Sequence, residues 1–236
     1  MAQLEAARAT YAPALEAGER ITAFLRSVYA WMAGGLAITA VTATAVASSP
    51  TIVGAISGSR LLFWALVIGQ LGIVFVLSGR VHRLASSTAS MLFIAYSALT
   101  GLTLSFVLLA YTGESIATTF LVTAAMFGAL AGYGTLTRRS LEGWGQFLFM
   151  GLVGVVIASV VGIFWQSDGL QFVITFVGVI VFTGLTAYDA QKLKAMALAT
   201  PEGQIGSYAI VGALTLYLDF INLFLMLLRL FGDRRR

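Results

Sequence analysis

The chain alternates between long apolar runs and short polar connections. Most of the runs contain about 20 residues, the length that an α-helix needs to cross the hydrocarbon core of a bilayer. Only helices satisfy their own backbone in lipid without closing into a barrel. The pattern therefore predicts an all-α membrane protein with about seven transmembrane helices in a single bundle. The runs cover residues 28–47, 61–77, 89–110, 116–136, 144–165, 172–188 and 205–231.

The first 20 residues, MAQLEAARATYAPALEAGER, are polar and contain acidic side chains. A cleaved signal peptide would instead begin with basic residues followed by an apolar stretch. We predict a polar N-terminal tail over residues 1–20 and one transmembrane domain over residues 21–236. The connections between the apolar runs, such as YTGES and QSDGLQ, are too short to contain a soluble domain.

Arginine and lysine alternate between successive connections. They occur before the first run and in the second, fourth and sixth connections, whereas the first connection has only Arg60 and the third and fifth have none. The positive-inside rule therefore predicts a cytoplasmic N-terminus. The C-terminal sequence RLFGDRRR breaks the alternation, because seven full spans would leave its arginines outside. Either the earlier helices fix the topology before these C-terminal arginines are synthesised, or the last segment dips into the membrane and returns.

The composition agrees with a protein embedded in membrane lipid and narrows its chemistry. The chain is 59% hydrophobic and 10% charged, whereas soluble domains carry about 25% charged residues. The absence of cysteine excludes disulfides, thiolate metal sites and cysteine nucleophiles, and a single histidine, His82, excludes a multi-histidine metal site. The net charge of +4 requires no nucleic-acid partner. We expect no organic cofactor.

Closely spaced glycines recur in two of the runs. GLVGVV contains Gly151 and Gly154, and FGALAGYG contains Gly128, Gly132 and Gly134. Small residues let helices pack closely in lipid. We predict that these glycines lie at helix crossings.

Two aspartates interrupt the last two runs at similar distances from a turn. Asp189 ends the sixth run and Asp219 lies inside the seventh, and TPEGQ between them is a typical turn sequence. Gly203 lies 14 residues after Asp189 and 16 before Asp219, so both acids would lie at the same level of an antiparallel hairpin. The helical phase of either residue is left open. If the carboxyls meet, they cannot both ionise cheaply, and they would share one proton.

Such a pair would act as a proton-sensitive latch between two helices. Its protonated form is a hydrogen bond, whereas its fully ionised form repels and attracts a hard cation such as calcium. Arg80 closes the second run on the same side as Asp189 and is the candidate counter-charge. Simpler interpretations remain: Asp189 could pair with lysines nearby on its helix, Asp219 and Asn222 could be interhelical hydrogen-bonding groups, and Arg80 could be a topology anchor.

The two acids lie in segments that resemble a known family. VFTGLTAYDAQKLK and ALTLYLDFINLFLMLLRLFG closely resemble the two signature segments of the Bax inhibitor-1 family, also called the transmembrane BAX inhibitor motif family, including its bacterial, YccA-like branch. FLRSVYAWMAGGLAITA is similar to the first segment of the family, and YGTLTRRSLEGWGQFLFMGLVG to its fourth loop and fifth helix. The resemblance covers almost the entire chain from about residue 20.

The resemblance implies a seven-helix bundle in the bacterial inner membrane, with the last helix near the centre, and a pH-sensitive calcium leak. It makes Asp189 and Asp219 the shared-proton pair, which calcium could contact in transit, and Arg80 its latch. Tyr188, Gln191 and Asn222, which neighbour these acids in the two motifs, are the supporting polar residues. Some relatives carry a glutamate within the second helix, where this chain has only Gln70.

The resemblance also implies a second function, and a third can be excluded. Some bacterial relatives bind and moderate the membrane AAA protease FtsH, for which the N-terminal tail would be the natural contact. Presenilin-type proteases also use two aspartates, but the second lies in a Gly-x-Gly-Asp motif and here it lies in LYLD. Their Pro-Ala-Leu motif lies in a late helix, whereas here the tripeptide begins at Pro13. We therefore expect no enzymatic activity.

Overall fold

The computed structural model describes residues 2–165 and 167–235, with side chains from Leu15 onward except that of Glu202. The described residues form eight α-helices and two short 3₁₀ turns, Val81–Arg83 and Glu202–Gln204. The helices are α1 (Ala2–Ala47), α2 (Pro50–Gly58), α3 (Arg60–Arg80), α4 (Ser86–Ala110), α5 (Gly113–Leu136), α6 (Glu142–Phe164), α7 (Asp168–Ala199) and α8 (Ile205–Phe231).

Seven of these helices, all except α2, are long and apolar enough to cross a membrane. Polar residues at their beginnings satisfy backbone N–H groups that a helix leaves free at its first turn. The Thr112 hydroxyl accepts from the Ser115 amide at the start of α5, and the Ser167 hydroxyl accepts from the Leu170 amide at the start of α7. The predicted all-α bundle of about seven transmembrane helices is therefore confirmed.

Helix α8 occupies the centre of the bundle and packs against α1, α4, α5 and α7. In its most apolar stretch 72% of the residues are buried, against 6% in α3, which lies at the periphery. Tyr217 of α8 packs edge-on against Phe93 and Tyr96 of α4, with ring centroids 5.8 and 5.7 Å apart. Its hydroxyl lies 2.6 Å from that of Thr39 on α1. The central position of the last helix is as expected.

The transmembrane helices alternate in direction, so each side of the bundle collects one set of connections. We call the side with the α3–α4, α5–α6 and α7–α8 connections the N-terminal face, and the opposite side the C-terminal face. Helix α8 contains 27 residues and is roughly 40 Å long at 1.5 Å per residue. It therefore spans the bundle completely, and the alternative in which the last segment dips in and returns is wrong.

The residues after α8 are fixed to the α4–α5 connection on the C-terminal face. The Thr112 amide donates to the Asp233 carbonyl at 3.0 Å, and the Arg235 amide donates to the Ala110 carbonyl at 2.9 Å. The Arg234 guanidinium lies 5.8 Å from the centre of the Tyr111 ring. Arg234 and Arg235 therefore lie on the side opposite the α7–α8 turn. Which face is cytoplasmic is predicted by the loop charges alone.

Only some of the predicted glycines make close helix crossings. Gly134 of α5 lies against the Ala187 backbone of α7, and Gly151 of α6 lies against Val181. A Cβ atom at Gly128, Gly132 or Gly154 would meet nothing within 4 Å, so the packing prediction is wrong for these three. Their positions face away from neighbouring helices, which the spacing of small residues alone does not reveal.

Candidate functional site

Asp219 is a buried acid halfway along the central helix. It lies in α8 between turns of leucine and phenylalanine, and its side chain is only 5% exposed. Its Oδ2 atom is buried, and no donor among the described residues reaches it. A buried polar atom without a partner costs free energy of about 1–3 kcal/mol, and more if it is charged. The arrangement is therefore stable only if something else satisfies this oxygen.

The structure brings Asp189 and Asp219 together. Helix α7 continues through Asp189 to Ala199, and the chain turns at residues 200–204 before α8 runs back antiparallel. The phase of both helices directs the carboxyls toward one another, within reach of a side-chain hydrogen bond. Because two ionised carboxylates have no hydrogen to donate, that bond requires one proton. A protonated Asp189 would also provide the partner that Asp219 Oδ2 lacks.

The two members of the acid pair differ in their surroundings. Asp189 is partly exposed and experiences the positive charge of Lys192 on its own helix. Among the described residues no such counter-charge lies beside Asp219, and the ionisable group next to it is Asp189. The Lys192 ammonium also lies 6.0 Å from the centre of the Tyr188 ring. Asp189 therefore has both neighbours that the sequence suggested, a lysine on its own helix and Asp219 on α8.

The structure does not bring Arg80 to the acid pair. Arg80 is exposed in the last turn of α3, whereas the cation beside Asp189 is Lys192 of its own helix. Helix α3 makes few contacts with α8. The latch role of Arg80 stays a prediction that needs a state in which α3 lies closer to α7 and α8.

Tyr188 and Gln191 face away from Asp219 and position other parts of the bundle. The Tyr188 ring packs over Gly145 at the start of α6, where a side chain would collide with it. The Gln191 side chain accepts from the Leu141 amide at 2.7 Å and donates to the Arg139 carbonyl at 2.9 Å. It therefore holds the α5–α6 connection against α7. Neither side chain contacts Asp219 in this arrangement.

Two basic side chains that sequence reasoning did not single out serve a similar purpose. Lys194 donates to the Thr135 carbonyl at the end of α5, at 2.6 Å. Arg20 donates from Nε to the Ala197 carbonyl at 3.0 Å and from its guanidinium to the Thr200 carbonyl. These bonds fix the last turns of α7, in which Asp189 lies, to α1 and α5. The positive-inside pattern identified both residues only as topology signals.

Asn222 lies beside a large cleft that opens on the C-terminal face. Its Nδ2 donates to the Leu218 carbonyl at 2.8 Å, so the side chain bonds to its own helix rather than to a neighbouring one. The cleft has a volume of about 1130 Å³ and lies between α6, α7 and α8. We call it the polar cleft. Its lining includes Ser159, Gln171, Thr175, Asn222, Met226 and Arg229.

The acid pair alone is a poor resident metal site. Calcium takes six to eight oxygen ligands, and two carboxyls supply at most four. No group of three or more histidine, cysteine, aspartate or glutamate side chains that could hold a metal ion occurs among the described residues.

Comparisons with known proteins agree with the motifs around the acid pair. Residues 21–236 match the family described as Bax1-I, inhibitor of apoptosis-promoting Bax1. The chain is 50% identical over 215 residues to the inner membrane protein YbhL of Escherichia coli K12, covering 90% of this chain and 92% of that protein. It is 45% identical over 214 residues to an uncharacterized protein of Borreliella burgdorferi, with coverage of 90% and 92%.

A further relative, an uncharacterized protein of Deinococcus radiodurans, is 40% identical over 217 residues, covering 92% of this chain and 93% of the relative. None of these names indicates an enzyme. The family match covers the transmembrane helices and both acids. The chain is therefore a multi-pass integral membrane protein that belongs to the Bax inhibitor-1 family.

Proposed function

We propose that this protein is a proton-regulated cation leak, with calcium as the cargo that its resemblance suggests, and that Asp189 and Asp219 form its proton switch. The observation that carries the proposal is a pair of carboxyls in hydrogen-bonding reach at the centre of a membrane bundle. Charged side chains at this depth are costly and commonly mark ion or proton pathways. A purely structural role would be served as well by an uncharged polar residue.

The switch works through the difference between one shared proton and none. With one proton, the two carboxyls form a hydrogen bond that joins α7 to α8. Without it, the two negative charges repel, and two unit charges at a separation of about 4 Å repel by about 4 kcal/mol at an effective dielectric constant of 20. That energy changes a two-state equilibrium by about three orders of magnitude, because each 1.4 kcal/mol is a factor of ten. Loss of the proton therefore favours separation of the two helices.

An acidic cavity on the C-terminal face supports cations as the cargo. It has a volume of about 360 Å³ and lies between α5 and the end of α8. The charged residues that line it, Glu114 and Asp233, are both acidic, and Ser115 and Thr119 add hydroxyl oxygens. Rings and clusters of acidic side chains select cations at the entrances of pores. The same ionised acid pair would attract a cation further inside.

The second candidate is a non-enzymatic regulator that binds the membrane protease FtsH. The observation that favours it is the length of α1, which contains 46 residues and at 1.5 Å per residue would be roughly 69 Å long. Because the hydrocarbon core is about 30 Å thick, the polar first turns of α1 project beyond it. They would form the docking element of such a regulator.

Calcium flux into liposomes that contain only this protein distinguishes the two functions. We expect flux without any partner, with a rate that changes between acidic and neutral pH. Liposomes prepared without protein provide the background rate. Absence of flux at every pH, together with capture of FtsH that is lost when residues 2–14 are deleted, would replace the leak by the regulator.

A further inference from the structure

The polar cleft is an unusual feature for a region that lies within the membrane. Helices α6 and α8 both pack closely against α7 but make few contacts with each other, which leaves the cleft between them. Each of the three helices contributes polar side chains, including Ser159 from α6, Thr175 from α7 and Asn222 from α8. Lipid tails cannot satisfy hydroxyl and amide groups. These three side chains each donate to a carbonyl of their own helix, and water entering from the C-terminal face could bind the oxygen lone pairs that are left over.

The cleft ends close to the acid pair. Arg229 lies near its mouth in the last turns of α8, and Asn222 lies two turns deeper. Asn222 is three residues from Asp219, which at 1.5 Å per residue is about 4.5 Å along the helix axis. Residues three apart also lie on neighbouring parts of one helix face. Water in the cleft thus comes within one helical turn of Asp219.

Apolar side chains of α7 and α8 pack beside the inner part of the cleft. Met226 lies directly on Gly178 of α7, with its sulfur 2.9 Å from the position that a Cβ atom there would occupy. Phe182 and Leu223, one turn closer to the acids, are both buried in the same apolar cluster. On the other side of Asp219, toward the N-terminal face, Gly212 is covered by Val28 and Leu193, and Leu216 is fully buried.

We propose that the polar cleft is the water-filled route through which Asp219 exchanges protons with the C-terminal face. The acid pair then responds to the pH of that face. This inference rests on the proposed proton switch and specifies which face of the membrane sets the protonation of the acid pair. The competing arrangement is exchange through Asp189, which is partly exposed and lies beside Lys192.

Titratable groups other than the acid pair also lie around α8, so the pH response of the pair is followed through the carbonyl band that Asp219→Asn removes. Helix α5 packs against α8 with Phe127, and its Glu114 lies with Asp233 in the acidic cavity beside the end of α8. The exposed Arg80 ends α3. The titratable and charged groups of the other neighbours and of the cleft are Tyr29 and Arg26 (α1), Tyr96 (α4), Asp189 and Lys192 (α7), and Asp168, Arg229 and Arg234 (cleft).

Thiol labelling tests water access without requiring any leak. The chain contains no cysteine, so single-cysteine variants can be treated with a charged methanethiosulfonate that does not cross membranes. Ser57→Cys and Ser140→Cys, both exposed, report the C-terminal and N-terminal faces. We expect Thr175→Cys and Asn222→Cys to react from the face that labels Ser57→Cys, and the fully buried Leu223→Cys to remain unlabelled. An unreactive Asn222→Cys, or one that reacts only from the other face, would overturn the proposal.

Infrared spectroscopy tests the proton route and, like thiol labelling, requires no cation flux. The carbonyl band of the protonated carboxyl is identified as the band lost in Asp219→Asn. In liposomes with the protein in one orientation, the pH is then changed on one face at a time. We expect the band to follow the pH of the C-terminal face. A band that follows the pH of the N-terminal face would assign the route to Asp189 and overturn the proposal. Neither result depends on whether the protein leaks cations.

Discussion

Replacing Gly134 by alanine tests how closely α5 and α7 must approach to hold Asp189 in position. A Cβ atom at residue 134 would collide with the Ala187 carbonyl oxygen and would lie 2.9 Å from its carbon. Ordinary contact begins at 3.4 Å, so the carbonyl carbon must move by about 0.5 Å and the oxygen by more. Both contact atoms are backbone, so no side chain can rotate away. Overpacking of this kind costs about 1–3 kcal/mol.

Thermal unfolding in detergent measures that cost. For chains of 150–250 residues each kcal/mol lowers Tm by roughly 2–4 °C, so we expect Gly134→Ala to lower Tm by roughly 2–12 °C. Gly128→Ala and Gly132→Ala are matched controls on the same helix, because their Cβ atoms would meet nothing within 4 Å. They should leave Tm unchanged or raise it slightly. Equal Tm values for all three variants would refute the close α5–α7 crossing.

Three further predictions concern the surroundings of the acid pair. Gln191→Ala removes two hydrogen bonds to the α5–α6 connection. At about 1 kcal/mol for each bond, it should lower stability by about 2 kcal/mol and speed tryptic cleavage after Arg139. Unchanged cleavage would contradict the role of Gln191 in holding this connection against α7. Arg80→Ala should raise basal calcium flux if Arg80 is the latch, and unchanged flux would remove it from the site. A tag beside Arg138 should be accessible only from the cytoplasm, and labelling of intact cells would reverse the predicted orientation.

Run length and polarity predicted the transmembrane helices because they follow directly from the bilayer. The ends of the helices were less predictable. The sixth run ends at residue 188, but α7 continues to Ala199 because Lys192, Lys194 and their neighbours form good helical turns outside the apolar core. The polar residues from Ala2 likewise extend α1 without a break. Hydropathy detects where lipid contacts a helix and not where its hydrogen bonds stop.

The short helix α2 was not predicted, because its apolar segment is much shorter than a transmembrane run. Its nine residues begin with Pro50, which is suited to the first turn of a helix because it lacks an N–H group. The segment is too short to cross a membrane, and it lies within the connection between the runs that end at residue 47 and begin at residue 61. The general description of short connections therefore missed it.

The contact between the two acids could be anticipated, whereas the roles of their neighbours could not. Equal spacing from a turn fixes the level of Asp189 and Asp219, and the phase of α7 and α8 then depends on packing across the whole bundle. Gln191 was expected beside the acids, yet its amide satisfies backbone groups of the α5–α6 connection. The polar cleft depends on a gap between α6 and α8 that no local pattern records.

The pH profile of calcium flux in Asp219→Asn tests the proton switch most directly. Asparagine keeps the shape and hydrogen-bonding capacity of the side chain but removes one of the two titrating groups. Glu142→Gln, a charge-removing change at an exposed acid at the start of α6, is the matched control. The account predicts that Asp219→Asn still leaks but responds weakly to pH, because Asp189 then titrates without a like-charged neighbour, whereas Glu142→Gln keeps the native profile. A native pH profile in Asp219→Asn would contradict the proton switch and leave Asp219 as an interhelical hydrogen-bonding group.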